Sequence, residues 1–165
     1  MKPKILFILH LPPPIHGAAM MGKYIQESEL VNSSFDCFCI NLATAGSLSD
    51  IGHISLKKLL KYFFLLKHIS HVVREIRPEL VYITPNAGGK AFFKDFIVVQ
   101  MLKSMGCKVI AHYHNKGVSV YQSKWVYNFF YKRFFSNLKV ILLAENLYKD
   151  IAKYVNLSEW YTKLT

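Results

Sequence analysis

Three cysteines in a chain of 165 residues are too few for a disulfide framework or a zinc quartet. Cys37 and Cys39 stand at same-face positions of a strand and, with Cys107, read as buried reduced thiols. Long apolar runs are missing too, since no stretch reaches the roughly 18–20 uncharged apolar residues that a membrane span needs. The run Ile5–Leu11 superficially resembles a signal-peptide core. It is only seven residues long, contains His10 and stops at Pro12-Pro13-Pro14 with no small-residue cleavage site nearby. A cytoplasmic location is therefore expected. Acidic residues are scarce: 10 Asp and Glu face 21 Lys and Arg, a formal net charge of +11. The scarcity is local, because residues 54–144 hold 15 basic and three acidic side chains. Such a field favours an anionic partner, whether nucleic acid, acidic lipid surface or phosphorylated small molecule.

What is present argues for a folded core: 52% of the residues are hydrophobic and 19% charged, which excludes intrinsic disorder. The length suits one domain. Short apolar runs alternate with longer helical patterns. Ile5–Leu9 is continuously apolar, as expected of a strand buried on both faces, and 37–42, 80–84, 108–113 and 140–143 repeat the theme. Between them, helices are expected at about 17–31, 55–76, 91–104, 122–135 and 146–154. Ser55 reads as an N-cap, Pro78 follows a helix end, and Gly106 suits a C-cap. Repeated strand-then-helix units imply right-handed crossovers, hence an α/β fold: one doubly wound parallel sheet of about five strands with helices on both faces. The domain is expected over 1–155, with 156–165 as a tail.

In an open parallel sheet, ligands bind outside the carboxyl ends of the strands where strand order reverses. The common order 3-2-1-4-5 would put that crevice between the first and fourth strands. The first ends in His10-Leu-Pro-Pro-Pro-Ile-His16-Gly17, the fourth in His112-Tyr113-His114-Asn115-Lys116-Gly117. Four of the seven histidines fall there, able to donate to phosphate or hydroxyl oxygens and to exchange protons near neutrality. Gly17-Ala18-Ala19 opens a helix whose first N–H groups favour an anion, or else permits close helix–sheet packing. It is not a dinucleotide fingerprint, for no G-x-G-x-x-G occurs. The loop Pro85-Asn86-Ala87-Gly88-Gly89-Lys90 departs from a Walker loop at Thr84 and Ala91, and reads better as a flexible acceptor-side loop. His112 and His114 have no carboxylate or cysteine beside them, so no metal is expected. No Gly-x-Ser-x-Gly elbow supports a hydrolase.

Two helical stretches combine basic and aromatic residues: Lys57–Lys67 and Trp125–Phe135. Leu56, Leu59, Leu60, Phe63, Leu66, Val73 and Ile76 recur at helical spacing, the pattern of a helix packed on a sheet with a solvated basic face. Docking on an acidic lipid surface is the other use of such a pattern. Nucleic acid is disfavoured because no recognition motif accompanies the charge.

Lys4–His10, the Pro-Pro-Pro-Ile-His-Gly-Ala-Ala loop, Leu80-Val-Tyr-Ile-Thr-Pro, Val109-Ile-Ala-His-Tyr-His-Asn and Val140-Ile-Leu-Leu-Ala-Glu145 follow in an order that resembles the N-terminal half of GT-B glycosyltransferases of the retaining family 4 type. The likeness covers about residues 3–155. It implies transfer of a sugar from a nucleotide-sugar donor to a glycan or lipid-linked acceptor, in polysaccharide or glycolipid assembly, at the inner face of the plasma membrane. On this resemblance, His16, Gly17 and Ala18 face the donor diphosphate, and Lys116 helps to stabilise its charge. His114 lies near the donor sugar with His112 in reserve, and Asn86 and Glu145 line the cleft. The nucleotide-sugar is a co-substrate and no other cofactor is implied. Such enzymes need a second, donor-binding domain with an E-x7-E motif, absent from this sequence, so a separate domain or chain is an expected partner and the chain alone is expected to transfer little sugar. The competing reading is a non-catalytic flavodoxin-like module that binds a small anion in the same crevice.

Overall fold

The structure, a computed structural model, describes residues 2–13, 15, 17–42, 56–156 and 160–162. It is an α/β fold with a parallel sheet flanked by helices, as the alternating patterns predict. The strands are β1 (Lys4–Leu9), β2 (Asp36–Asn41), β3 (Leu80–Ile83), β4 (Val109–Tyr113), β5 (Lys139–Leu142) and β6 (Trp160–Thr162). The helices are α1 (Gly17–Glu27), α2 (Glu29–Ser34), α3 (Leu56–Ile76), α4 (Gly89–Ser104), α5 (Val118–Tyr121), α6 (Trp125–Phe135) and α7 (Tyr148–Ile151). Two compact units divide the chain, Met1–Tyr82 and Ile83–Thr165.

Strand order is β2-β1-β3-β4-β5-β6, which corrects the expected 3-2-1-4-5. Crossover handedness is common to both orders and does not say which flank of β1 a later strand takes. Side-chain packing does. Leu80 and Tyr82 lie against the same face as Ile5, Phe7 and Leu9, and the Glu79 N–H donates to the Lys4 carbonyl at 2.9 Å. β1 thus has β2 and β3 as neighbours, and the reversal of order falls between β1 and β3.

Several element boundaries also differ from expectation. The helix expected over 17–31 breaks at Ser28, whose Oγ accepts the Val31 N–H at 3.4 Å and starts α2. The segment expected as helix 122–135 starts at Trp125, with the short α5 before it, and that expected at 146–154 is a 3-10 turn over Glu145–Leu147 followed by α7. Trp160–Thr162, inside the stretch read as a tail, pairs in parallel with β5, Val140 opposite Trp160. Gly106 does end α4: at φ +78° it donates to the Lys103 carbonyl at 2.9 Å, while the Cys107 N–H reaches Leu102 at 3.0 Å. Ser55 lies outside the described residues. The cysteines are free, but Cys39 is exposed and Cys37 half-buried on the edge strand β2, and Cys107 is half-buried after α4.

In the first unit β1 is buried from Ile5 to Leu9, and Ile25 of α1 and Val31 of α2 cover the face carrying Ile5, Phe7 and Leu9. The close approach of α1 to β1 is made at Gly22, where an added Cβ would overlap the backbone carbonyl of His10. Gly17 has open space around it. The apolar stripe of α3 is only partly a core stripe: Ile69 and Val73 are buried, whereas Leu56, Leu59, Leu60 and Phe63 are exposed.

The second unit is built around aromatic rings. Phe92 of α4 lies 4.6 Å from Tyr131 and 5.5 Å from Phe134 of α6, centroid to centroid, and Tyr113 of β4 packs on Phe134 and Phe135. Lys103 of α4 closes the end of α6, donating through Nζ to the carbonyls of Arg133, Phe134 and Ser136 at 3.2, 2.7 and 2.5 Å. Desolvation lowers this amine to about 8. Among the described residues no helix is long and apolar enough to cross a membrane.

Alanine in a helix ordinarily gains about 1 kcal/mol over glycine. At Gly22 the backbone of His10 blocks the new methyl, so Gly22→Ala is expected to destabilise by about 1–3 kcal/mol. Gly17→Ala is expected to be neutral or slightly stabilising. Urea unfolding of the two variants, at unchanged m-value, measures both.

Candidate functional site

The best-defined site lies in the second unit, at the carboxyl end of β4. Alternation along the strand sends Val109, Ala111 and Tyr113 into the core, and puts His112 and the following His114 on the other side. Their rings meet with centroids 4.2 Å apart. The His114 ring nitrogens are buried, and among the described residues neither has a hydrogen-bond partner. The buried hydroxyls of Thr84, just beyond β3, and of Tyr113 are likewise unmatched there. Leaving such a group unsatisfied costs about 1–3 kcal/mol, so the two His114 nitrogens mark a position shaped by something other than stability.

Desolvation, and then the neighbouring His114, lowers the His112 pKa from 6.5 to about 4. Desolvation lowers that of His114 as well. Both imidazoles are therefore neutral at pH 7, and each neutral ring offers one N–H donor and one acceptor.

The loop after β4 is held from a distance. Asp150 of α7 accepts the N–H groups of Gly117 and Val118 on one oxygen, at 2.8 and 2.9 Å, and that of Ser119 on the other at 3.0 Å, with the Ser119 hydroxyl added. Burial pushes this carboxyl up, but the Ser119 hydroxyl and the backbone donors outweigh it and hold the group below its ordinary value. The amides that could have cradled an outside anion here already carry an internal one. A second buried carboxylate, Asp95 of α4, fixes the loop after β3: Asn86 donates to it through its backbone N–H and its Nδ2, both at 2.8 Å. Burial raises Asp95 to about 6 against the pull of these bonds. The Tyr131 hydroxyl donates to the Ala87 carbonyl at 2.6 Å and pins the same loop.

The other sequence-derived candidates fall as follows. In the second unit, Lys116 and Glu145 are exposed, Lys116 in the β4 loop and Glu145 at the start of the 3-10 turn. Asn86 is engaged by Asp95. In the first unit, Gly17 and Ala18 open α1, Gly17 exposed and Ala18 half-buried, and His10 lies just beyond β1. His16 lies outside the described residues. The first and fourth strands are not neighbours as expected, since β1 lies between β2 and β3. Among the described residues no three His, Cys, Asp or Glu side chains gather to hold a metal ion. Sequence reasoning brought His112 and His114 together correctly and missed Asp95, Asp150 and Tyr131, whose partners lie 9 to 44 positions away. Compared with protein-family models, with curated proteins and with solved structures, the chain matches none.

Two measurements test this site. Histidine NMR titration is expected to show His112 titrating only near pH 4 and His114 titrating below the ordinary 6.5. The unfolded chain takes up protons below about 6.5 that these rings resist, so both make stability fall as pH drops from there, His112 until about 4. Asp95 acts oppositely, costing stability as pH rises from 3.8 to about 6. Asp150→Ala is expected to destabilise by about 2–3 kcal/mol, leaving three amides without their anion. The contribution of Asp150 is full above its unfolded pKa near 3.9 and is lost as pH falls through its lower folded value, so the difference between wild type and variant should shrink in acid. A constant difference down to pH 2 would contradict this origin.

Proposed function

We propose that this chain is the acceptor-side domain of a nucleotide-sugar-dependent glycosyltransferase of GT-B type, working in the cytoplasm on a glycan or lipid-linked acceptor. The observation that carries the reading is His114: a neutral imidazole at the carboxyl end of a parallel strand, with both nitrogens buried and unmatched among the described residues. A sugar hydroxyl both donates and accepts, so a neutral ring with one donor and one acceptor complements it, whereas a phosphate calls for cations or backbone amides. The amides of this loop are already engaged by Asp150, and the ring beside His114 is also neutral. These features favour recognition of a polyol over capture of a small anion. The parallel α/β fold supports the reading without selecting it, since such folds carry many functions.

In this role His114 orients a sugar hydroxyl and His112 supports its ring, while Lys116 offers a mobile positive charge to the leaving diphosphate. Asn86 and Glu145 serve as cleft positions.

Saturation-transfer NMR with a panel of nucleotide-sugars and simple glycosides tests the proposal. Sugar-ring protons are expected to receive the saturation, and affinity is expected to stay flat from pH 8 to 7, where His114 is neutral. His114→Leu should weaken binding about tenfold, the loss of one neutral hydrogen bond or two. The same substitution removes two unmatched nitrogens and should raise folding stability by about 1 kcal/mol. Binding that follows the phosphates alone, with inorganic pyrophosphate competing equally, would replace this reading by the anion-binding module.

A further inference from the structure

The first three turns of α3 carry a surface that neither the sheet nor the proposed reaction uses. With about 100° per residue, Leu56, Leu59, Leu60, Phe63 and Phe64 fall within an arc of about 140°, its centre about 130° round the helix from the buried Ile69 and Val73. All five are exposed, Leu56 by 74% and Phe64 by 64%. The stripe runs about 18 Å along the helix to Lys67. Lys57 and Lys61 border its edge, Lys58 stands farther round, and Lys67 folds its ammonium over the Phe63 ring, 4.7 Å from the centroid. No acidic residue occurs from Leu56 to Arg74.

An apolar stripe edged by lysines has two needs at once: somewhere dry for the rings and an opposite charge for the ammonium groups. A bilayer surface with anionic headgroups meets both within a few ångströms, the acyl boundary taking Phe63 and Phe64 while the lysine stems reach back to the phosphates. The 21-residue helix is long enough to span, but its cations, three of them lysines in its first three turns, keep it in the interface. We propose that the N-terminal half of α3 lies flat on an anionic lipid surface, with Leu56, Leu59, Leu60, Phe63 and Phe64 inserted and Lys57, Lys61 and Lys67 at the headgroups. This inference rests on the first unit alone and is independent of the sugar site.

Sedimentation of the full chain with vesicles tests it. Binding to phosphatidylcholine vesicles holding about 30 mol % phosphatidylglycerol is expected, and it should fall steeply between about 50 and 300 mM salt. Removing three charges, as Lys57→Gln with Lys61→Gln and Lys67→Gln, should lower the partition coefficient on the order of a hundredfold, at about fivefold per lysine. Phe63→Ser with Phe64→Ser should lower it at least about tenfold. The substituted side chains lie outside the buried core, so circular dichroism and melting temperature should match the wild type; a third set, Trp125→Ser with Phe129→Ser on α6, should leave binding unchanged. No binding to anionic vesicles, equal binding to neutral ones, or loss only in the α6 variant would overturn the proposal. So would a concentration-dependent dimer that Phe63→Ser with Phe64→Ser dissolves while vesicle binding is absent, since the stripe would then belong to a second copy of the chain.

Discussion

A strand buried on both faces has no room for unpaired polar chemistry along its length. Backbone groups are consumed by the ladder and side chains by the two apolar layers. Every functional group must then wait for the strand to end. This constraint arranges the present chain. In the first unit β1 is apolar from Ile5 to Leu9, and the first polar side chain after that run is His10, just beyond the strand. In the second, the buried or half-buried polar groups gather just past β3 and around the end of β4: Thr84, Asn86 with Asp95, His112 and His114.

The two buried carboxylates show how such a zone is kept in order. Asp150 and Asp95 both fasten a loop that follows a strand, yet their ionisation moves in opposite directions. Asp150 has three amides and a hydroxyl, enough to hold the charge despite burial. Asp95 has only the two donors of Asn86, and burial prevails. The count of donors decides between them. Neither carboxylate reaches the His114 nitrogens, which is why that ring is lowered by desolvation alone and stays neutral. A carboxylate placed against it would have raised its pKa and favoured the cation.

The fold was legible to the extent that periodicity encodes it. The continuous runs at 5–9, 80–83, 109–113 and 139–142 announce strands because each is apolar at both parities. Strand order was not legible, since it depends on which flank of β1 is closed by Leu80 and Tyr82, a matter of long-range packing. β6 escaped because three residues carry no periodic signal. The helix break at Ser28 was readable in principle, as a serine followed by Glu29 in the first turn, but the apolar pattern ran through it. At the site, His112 and His114 could be paired by spacing alone, as i and i+2. Asp150 could not be assigned, because nothing local distinguishes a carboxylate that will cap amides 31–33 positions away from a solvated one. The small-residue signal misled differently: Gly17-Ala18-Ala19 drew attention, while the glycine that lets α1 touch β1 is Gly22.

The same limit applies, more instructively, to α3. Its sequence has a stripe at helical spacing, and such a stripe reports only that one face of the helix prefers to leave water. It does not say what medium receives it. In the second half of the helix the answer is the protein's own core, through Ile69 and Val73. In the first half the apolar residues turn onto a different side, and the residues bordering them are lysines. A core-facing stripe has no use for cations at its margin, because burial would strip their hydration without a paired anion. A stripe meant for an interface gains from them. The change of face and the change of flanking charge occur together within one helix, and that coincidence separates the two halves physically: one is finished by folding, and the other keeps its apolar side chains exposed.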